Sequence, residues 1–205
     1  MLMIGALLAN IIIVILEFYA LGHINGKRNI LKYYTYLQNL LALIASLIFT
    51  VFGIIGMVFN RQIPEFVKGF RYIATCGLVA TMFIFITFLG NGRKIAITDK
   101  DFCGGFSPKM ANAILHYVCP LLSLISFVLL EREIPLCNGI WTGIVAIPSC
   151  AYWVIYLILS VTKKWEEPYQ FSSPGKGNKF LDHLLYFLLP LSFIAISFIL
   201  WNAQF

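Results

Sequence analysis

Apolar residues run along this chain in six continuous blocks, near 2–22, 33–58, 66–90, 110–130, 139–162 and 180–201, with polar residues gathered between them. Each block matches the ~20 mostly apolar residues that a helix needs to cross a bilayer. The blocks are unbroken rather than alternating. That favours helices over barrel strands, because lipid tolerates only backbones satisfied within the segment or within a closed barrel. The pattern predicts an all-α integral membrane protein, a six-transmembrane-helix bundle with short loops, in one domain over residues 1–205. Composition agrees: 60% of the residues are hydrophobic and 12% charged, more apolar surface than a water-soluble fold of this size can hide. The first block has no basic residues before it and no small-residue cleavage pattern after it, so it is expected to remain as a span.

Charge sets the orientation. Eleven basic residues follow the first, third and fifth blocks: Lys27, Arg28, Lys32, Arg93, Lys94, Lys100, Lys109, Lys163, Lys164, Lys176 and Lys179. Four follow the second and fourth: Arg61, Lys68, Arg71 and Arg132. Cytoplasmic loops carry the basic excess, so both termini are predicted outside, in the plasma membrane if the cell is bacterial. Topology and anionic lipid account for the net charge of +6. No basic soluble face with aromatics is present to engage nucleic acid. The five cysteines (Cys76, Cys103, Cys119, Cys137, Cys150) form no C-x-x-C pair and have no histidine at ligand spacing. They predict neither a metal site nor a disulfide framework, and the three within spans read as small apolar filler. No cofactor is called for, and the sequence does not fix an oligomeric state.

Pro120, Pro148 and Pro190 each fall inside a block. A mid-helix proline frees a carbonyl four residues back and kinks the helix. Three such kinks open an internal cavity, or are simply tolerated, as membrane helices tolerate proline. Gly139 and Gly143 form a G-x-x-x-G pair, which reads as internal packing ahead of dimerisation.

Polar residues collect toward one membrane face. His23 ends the first block, His116 lies two turns into the fourth and His183 opens the sixth. Thr35, Gln38 and Asn39 open the second block on the same side, and Glu17 lies near the end of the first. The opposite half is expected to hold far fewer. Ionisable groups inside a span are costly and are functional candidates by default. Thr35 and Asn39 are spaced i, i+4 with Gln38 at i+3, so they share one helix face, with Lys32 a turn earlier. Asn112 and His116 are also i, i+4, and Pro120 cannot bond to the His116 carbonyl, so the helix is loosened there.

Two polar stripes at matching depth suggest a chemistry. A threonine hydroxyl becomes a nucleophile when a base takes its proton, and a neutral histidine is the usual base near pH 7. Gln38, Asn39 or Asn112 can donate to a developing oxyanion, and Lys32 can hold a carboxylate at the interface. The bland alternative is that these groups hydrogen-bond neighbouring helices or, for Thr35, its own helix. Glu17 has three open roles: orienting a histidine, pairing with a loop lysine, or reaching water. His23 and His183 read as interfacial histidines.

The run Lys32-Tyr33-Tyr34-Thr35, then Pro108-x-x-x-Asn112-x-x-x-His116, then Val161-Thr162-x-x-Trp165-x-x-Pro168-Tyr169 resembles the androgen-induced and androgen-dependent membrane threonine hydrolases. Animal members of that family are six-helix enzymes that cleave fatty acid esters of hydroxy fatty acids. The resemblance implies a microbial relative with Thr35 as nucleophile and His116 as its partner. It also implies a lipid ester as substrate and membrane lipids as surroundings. Trp165 and Tyr169 suit the headgroup level. Glu166 and Glu167 depart from the apolar or aromatic residues expected there. Against the hydrolase stands a second class, a non-enzymatic membrane carrier or a lipid- or ion-binding protein, in which the polar cluster binds a proton, an ion or a headgroup. A proton carrier depends on Glu17, the esterase on Thr35.

Overall fold

The computed structural model describes residues 2–22, 33–89, 108–162 and 179–204, with side chains at all but 88, 89, 108, 109, 156, 157, 160, 161 and 179–190. The described residues are helical with short connections and contain no strand. In order, α1 is Leu2–Gly22, α2 Tyr34–Phe59 and α3 Glu65–Ile84, which runs on into a π-turn, π1, at Phe85–Leu89. One continuous rod then joins α4 (Pro108–Ala113), π2 (Ile114–Val118), α5 (Cys119–Ile125) and π3 (Ser126–Leu130). The chain ends with α6 (Ile140–Ile144), α7 (Ala146–Val161) and α8 (Lys179–Ala203). Among the described residues four helices are long and apolar enough to cross a membrane: Leu2–Gly22, Tyr34–Phe59, Glu65–Thr87 and Met110–Leu130. Shorter apolar stretches occupy Ile140–Ile155 and Leu191–Ala203.

Large apolar side chains recur on the outside at helical spacing: Ile4, Leu8, Ile15 and Phe18 on α1, and Leu47, Val51, Ile54 and Val58 on α2. Such stripes suit lipid rather than water. Burial identifies the centre. Inside the bundle, 67% of the α3 span is buried, against 33%, 39% and 44% for the other three. One core joins Tyr72, Ile73, Cys76 and Ala80 of α3 to Phe127, Val145, Phe193 and Leu200. Another joins Ala74 and Leu78 to Ala42 and Ala45 of α2. Tyr72 donates its hydroxyl to the Ser197 carbonyl, and the Ser197 hydroxyl donates to the Thr142 carbonyl (3.1 Å), tying α3, α8 and α6 together.

Local sequence explains the turns. Asn60 ends α2 in the left-handed region (φ 51°), which asparagine tolerates, and Arg61 N–H closes on the Gly56 carbonyl at 2.9 Å. Pro64 then starts α3 without losing a helical donor. Glu65, in the first turn of α3, sits where a negative charge is favoured. It accepts the Cys137 N–H (2.8 Å) and the Asn138 N–H (3.3 Å) and pairs with Lys68 (3.0 Å), which donates to the Pro135 carbonyl (2.9 Å). The loop after π3 is clamped to α3 by these contacts. Pro148 has no N–H for the Ile144 carbonyl, and the chain breaks one residue later, at Val145, between α6 and α7. Around Pro190, by contrast, α8 is continuous.

Two expectations are corrected. Gly143 has open space where a Cβ would stand and Gly139 only touches Trp201, so the G-x-x-x-G pair does not bring helices together. Close approach occurs instead at Gly69, where a Cβ would strike the Trp141 indole, and at Gly77, where it would strike the Gln38 amide. The opposite half of the bundle is also not poor in polar groups. Arg71, counted above with the basic residues after the second block, is fully buried in α3. Its Nη1 donates to Thr75 Oγ1 (2.6 Å) and Ser123 Oγ (2.7 Å), and its Nη2 faces Glu131 Oε1 at 3.3 Å. The same carboxylate oxygen accepts from Ser126 Oγ (2.7 Å) and Asn10 Nδ2 (3.2 Å). The network joins α1, α3 and the fourth rod.

Breaking a buried ion pair strands a charge, at a cost of about 3–5 kcal/mol, whereas replacing both partners by apolar groups is often neutral. Glu131→Leu is expected to lower stability by about that amount in detergent unfolding, with most of it recovered in Arg71→Met/Glu131→Leu. A double variant as unstable as the single one would contradict a pair whose main role is mutual compensation.

Candidate functional site

Pro120 shapes the centre of the fourth rod. Residue 120 would normally donate to the His116 carbonyl, and proline has no N–H. The Cys119 N–H reaches back to the Ile114 carbonyl, five residues away, and forms π2. Such turns are rare and recur at functional sites. His116 therefore lies inside a π-turn, as the sequence-level loosening anticipated. Its side chain is buried, 3% exposed, and its ring stacks on Phe85 with centroids 4.0 Å apart. Phe85 itself opens π1, so two irregular turns meet at this ring pair.

The imidazole is oriented. His116 Nδ1 lies 3.1 Å from the Asn112 carbonyl. A carbonyl only accepts, so Nδ1 carries the proton and donates, and Nε2 keeps its lone pair as a base.

Thr35 is half-buried in the first turn of α2. Among the described residues its hydroxyl makes no hydrogen bond, to its own helix or to another. Its carbonyl accepts Asn39 Nδ2 at 2.8 Å. Asn39 therefore steadies the backbone at Thr35, and its buried Oδ1 has no partner. Aromatic neighbours fix this turn. Tyr33 and Tyr36 meet edge to face at 5.3 Å. The Tyr34 hydroxyl is 2.7 Å from Ser149 Oγ, and its ring packs on Tyr152 and Phe193.

The turn holding Thr35 and the turn holding His116 share one core: Tyr33 and Tyr36 pack with Ile114, Leu115 and Cys119, and with Ala20 and Leu21 of α1. No hydrogen bond joins Thr35 to His116 among the described residues. Gln38 is buried, with its amide against Gly77 of α3. Asn112 is half-buried and contributes its carbonyl to the histidine. Glu17 is fully buried beside the Cys119 thiol, and neither of its oxygens makes a normal hydrogen bond. Its full burial removes one of its open roles, reaching bulk water; the loop lysines Lys27 and Lys32 lie outside the described residues. His23, Lys32 and Trp165 lie outside the described residues, as does the side chain of His183, whose backbone belongs to α8. Among the described residues no group of three or more His, Cys, Asp or Glu side chains is placed to hold a metal.

Sequence reasoning passed over Phe85, Cys119, Asn10, Arg71 and Glu131. Asn10 shares an apolar block with Glu17, and Arg71 lies five residues inside another. The cost of polar groups within a span was the signal that marked both. Phe85 offers none, because one phenylalanine among eighteen is not distinguished by type or spacing.

Compared with family models, with curated proteins and with solved structures, the chain has no match.

The Phe85 contact predicts a spectroscopic effect. In histidine-labelled protein, the His116 ring resonances, assigned by their loss in His116→Gln, are expected to shift in Phe85→Leu as the ring current is removed. Unmoved resonances would contradict the stacking.

Proposed function

We propose that this chain is an intramembrane hydrolase of lipid esters, such as fatty acid esters of hydroxy fatty acids, with Thr35 as nucleophile and His116 as base. The setting of His116 carries the reading. A buried imidazole held through Nδ1 by a backbone carbonyl, in a π-turn made by Pro120, has its basic nitrogen poised and its orientation fixed. The Thr35 hydroxyl, which makes no hydrogen bond among the described residues, lies in the turn that packs against it. Two of the three motifs that resemble the membrane threonine hydrolases run into these two turns, and the third, from Val161 to Tyr169, lies mostly outside the described residues.

In this reading Nε2 of His116 takes the proton as Thr35 Oγ1 adds to the ester carbonyl. The C–O bond to the alcohol breaks and His116 returns the proton to the leaving oxygen, giving an acyl-threonine and a free hydroxy acid. Water, deprotonated by the same nitrogen, then releases the fatty acid and restores Thr35. Gln38 and Asn112 are the side chains for positioning or for the oxyanion, with Asn39 holding the Thr35 carbonyl. Lys32 would bind the substrate carboxylate. Glu17, His23, His183 and Trp165 are accessory. The bundle is read as six spans, with α6 and α7 forming the fifth and α8 the sixth, and with both termini outside.

Two experiments test this. Purified protein should hydrolyse a fluorogenic fatty ester. Thr35→Ala should abolish turnover, Thr35→Ser retain part of it, and His116→Gln lower it by about a hundred- to ten-thousand-fold, the range of general-base catalysis. Activity retained by well-folded Thr35→Ala and His116→Gln would remove the proposal. For topology, Cys137 is exposed and free in the loop after π3. A variant keeping Cys137 alone should react with impermeant maleimide on intact cells. One keeping Cys103 alone should react only after permeabilisation. The reverse pattern would invert the orientation.

A further inference from the structure

Among the described residues several buried polar atoms make no normal hydrogen bond: both oxygens of Glu17, which lie beside the Cys119 thiol, Oδ1 of Asn10, Oδ1 of Asn39, Oγ of Ser46 and Nε of Arg71. These residues are all fully buried. A stranded polar atom costs about 1–3 kcal/mol, so a group of them calls for an explanation.

Their placement is ordered. Asn39, Ser46 and Gly53 are each seven residues apart and share one face of α2. A Cβ at Gly53 would strike Leu7, so that face looks onto α1. In this antiparallel register Ser46 lies opposite residue 14 and Asn39 opposite residue 21, which brackets Glu17 in depth. On α1, Asn10 and Glu17 are also seven apart, a rise of about 10 Å. Both face the fourth rod, Asn10 at Ser126 (3.4 Å) and Glu17 beside Cys119. The unpartnered atoms of Asn10, Glu17, Asn39 and Ser46 thus follow one seam between α1, α2 and the fourth rod, with Arg71 of α3 at its far end. Asn39 and the π-turn of His116 mark one end. Asn10, Ser126, Glu131 and Arg71 mark the other. Glu17 lies between the two ends. Thr50, opposite Asn10, donates to the Ser46 carbonyl (2.7 Å), and the Ser46 hydroxyl makes no hydrogen bond among the described residues.

We propose that this seam is a hydrated proton path in which Glu17 receives a proton from water on one side and passes it to water on the other. Buried water bonds to otherwise unsatisfied polar groups, and Glu17, Asn39, Ser46 and Asn10 are the groups that waters spaced along the seam would bond. Every transfer breaks one O–H bond and forms another, so no oxidant, reductant or co-reactant enters. The titratable and charged groups along the seam are Cys119 beside Glu17, His116 one turn away on the same rod, Tyr36 from α2, and the Arg71–Glu131 pair at the far end. An acid inside a span, with no cation beside it among the described residues, is the feature expected of a proton relay. This activity is independent of ester hydrolysis, for which Thr35 is needed and Glu17 is not the base.

The test is proton flux into vesicles containing the whole protein and a trapped pH dye, driven by a potassium gradient with valinomycin. Wild type should move protons faster than protein-free vesicles. Glu17→Gln should fall to the protein-free rate, Glu17→Asp should keep measurable flux, and the lipid-facing Leu47→Val should match wild type. Ser46→Val interrupts the seam without touching the acid and should lower the flux, which guards against misfolding of the Glu17 variant. Thr35→Ala should conduct as wild type does, separating this result from the fate of the hydrolase reading. Wild-type flux equal to that of empty vesicles would overturn the proposal. So would wild-type flux in folded Glu17→Gln or Ser46→Val.

Discussion

Lipid offers no partner to a buried charge, and the arrangement of this bundle follows from how it supplies one to Arg71. The guanidinium stands on the most buried helix and reaches Thr75 on its own turn, Ser123 across the interface and Glu131 at the end of the fourth rod. Asn10 brings α1 to the same carboxylate. Helices that could otherwise slide past one another on apolar surface are fixed in register by these few polar contacts. Apolar packing alone distinguishes poorly between registers in a bilayer, where lipid chains are as apolar as leucine. The Glu65 clamp on the loop after π3 and the Tyr72–Ser197 bond extend the same logic to the rest of the described chain.

With that register set, the odd features of the fourth rod become intelligible. Pro120 removes one hydrogen bond and the helix answers with a π-turn, which turns His116 inward against Phe85. A second π-turn brings the Glu131 N–H to the Ser126 carbonyl (2.9 Å), beside the ion pair. Two extra residues are thus absorbed within one rod, each next to a polar group of interest. The histidine half supports the hydrolase reading and the Glu17 seam supports proton movement. Both draw on the same fact, that polar groups in this bundle are concentrated where the backbone is irregular or the helices are closely paired.

The helices were legible in the sequence because hydrocarbon thickness sets a long apolar run, and the blocks near 2–22 and 33–58 reappear as Leu2–Gly22 and Tyr34–Phe59. Pro120 was legible for the same kind of reason, since a missing donor acts locally. Contacts between helices were not. Arg71 lies near the start of its block, where a basic residue reads as interfacial, and only Glu131, sixty residues on, makes its burial tolerable. Gly139 and Gly143 carried a pairing pattern that the packing does not use, while Gly69 and Gly77, with no pattern, take the Trp141 ring and the Gln38 amide. Thr35 and Asn39, and likewise Asn112 and His116, could be grouped from their i, i+4 spacing, and the structure packs the two turns that carry them into one core. Their side-chain partners depend on rotamers and on neighbours from other helices, which spacing along one helix does not contain.

The central claim is an activated threonine at Thr35, and the most direct measurement is intact-mass analysis of the detergent-purified protein after reaction with a fluorophosphonate. The account predicts one phosphonyl adduct in wild type, mapped to Thr35 and lost in both Thr35→Ala and His116→Ala. An adduct that persists in folded Thr35→Ala, or a folded wild type that hydrolyses fatty esters yet carries no adduct at Thr35, would contradict it.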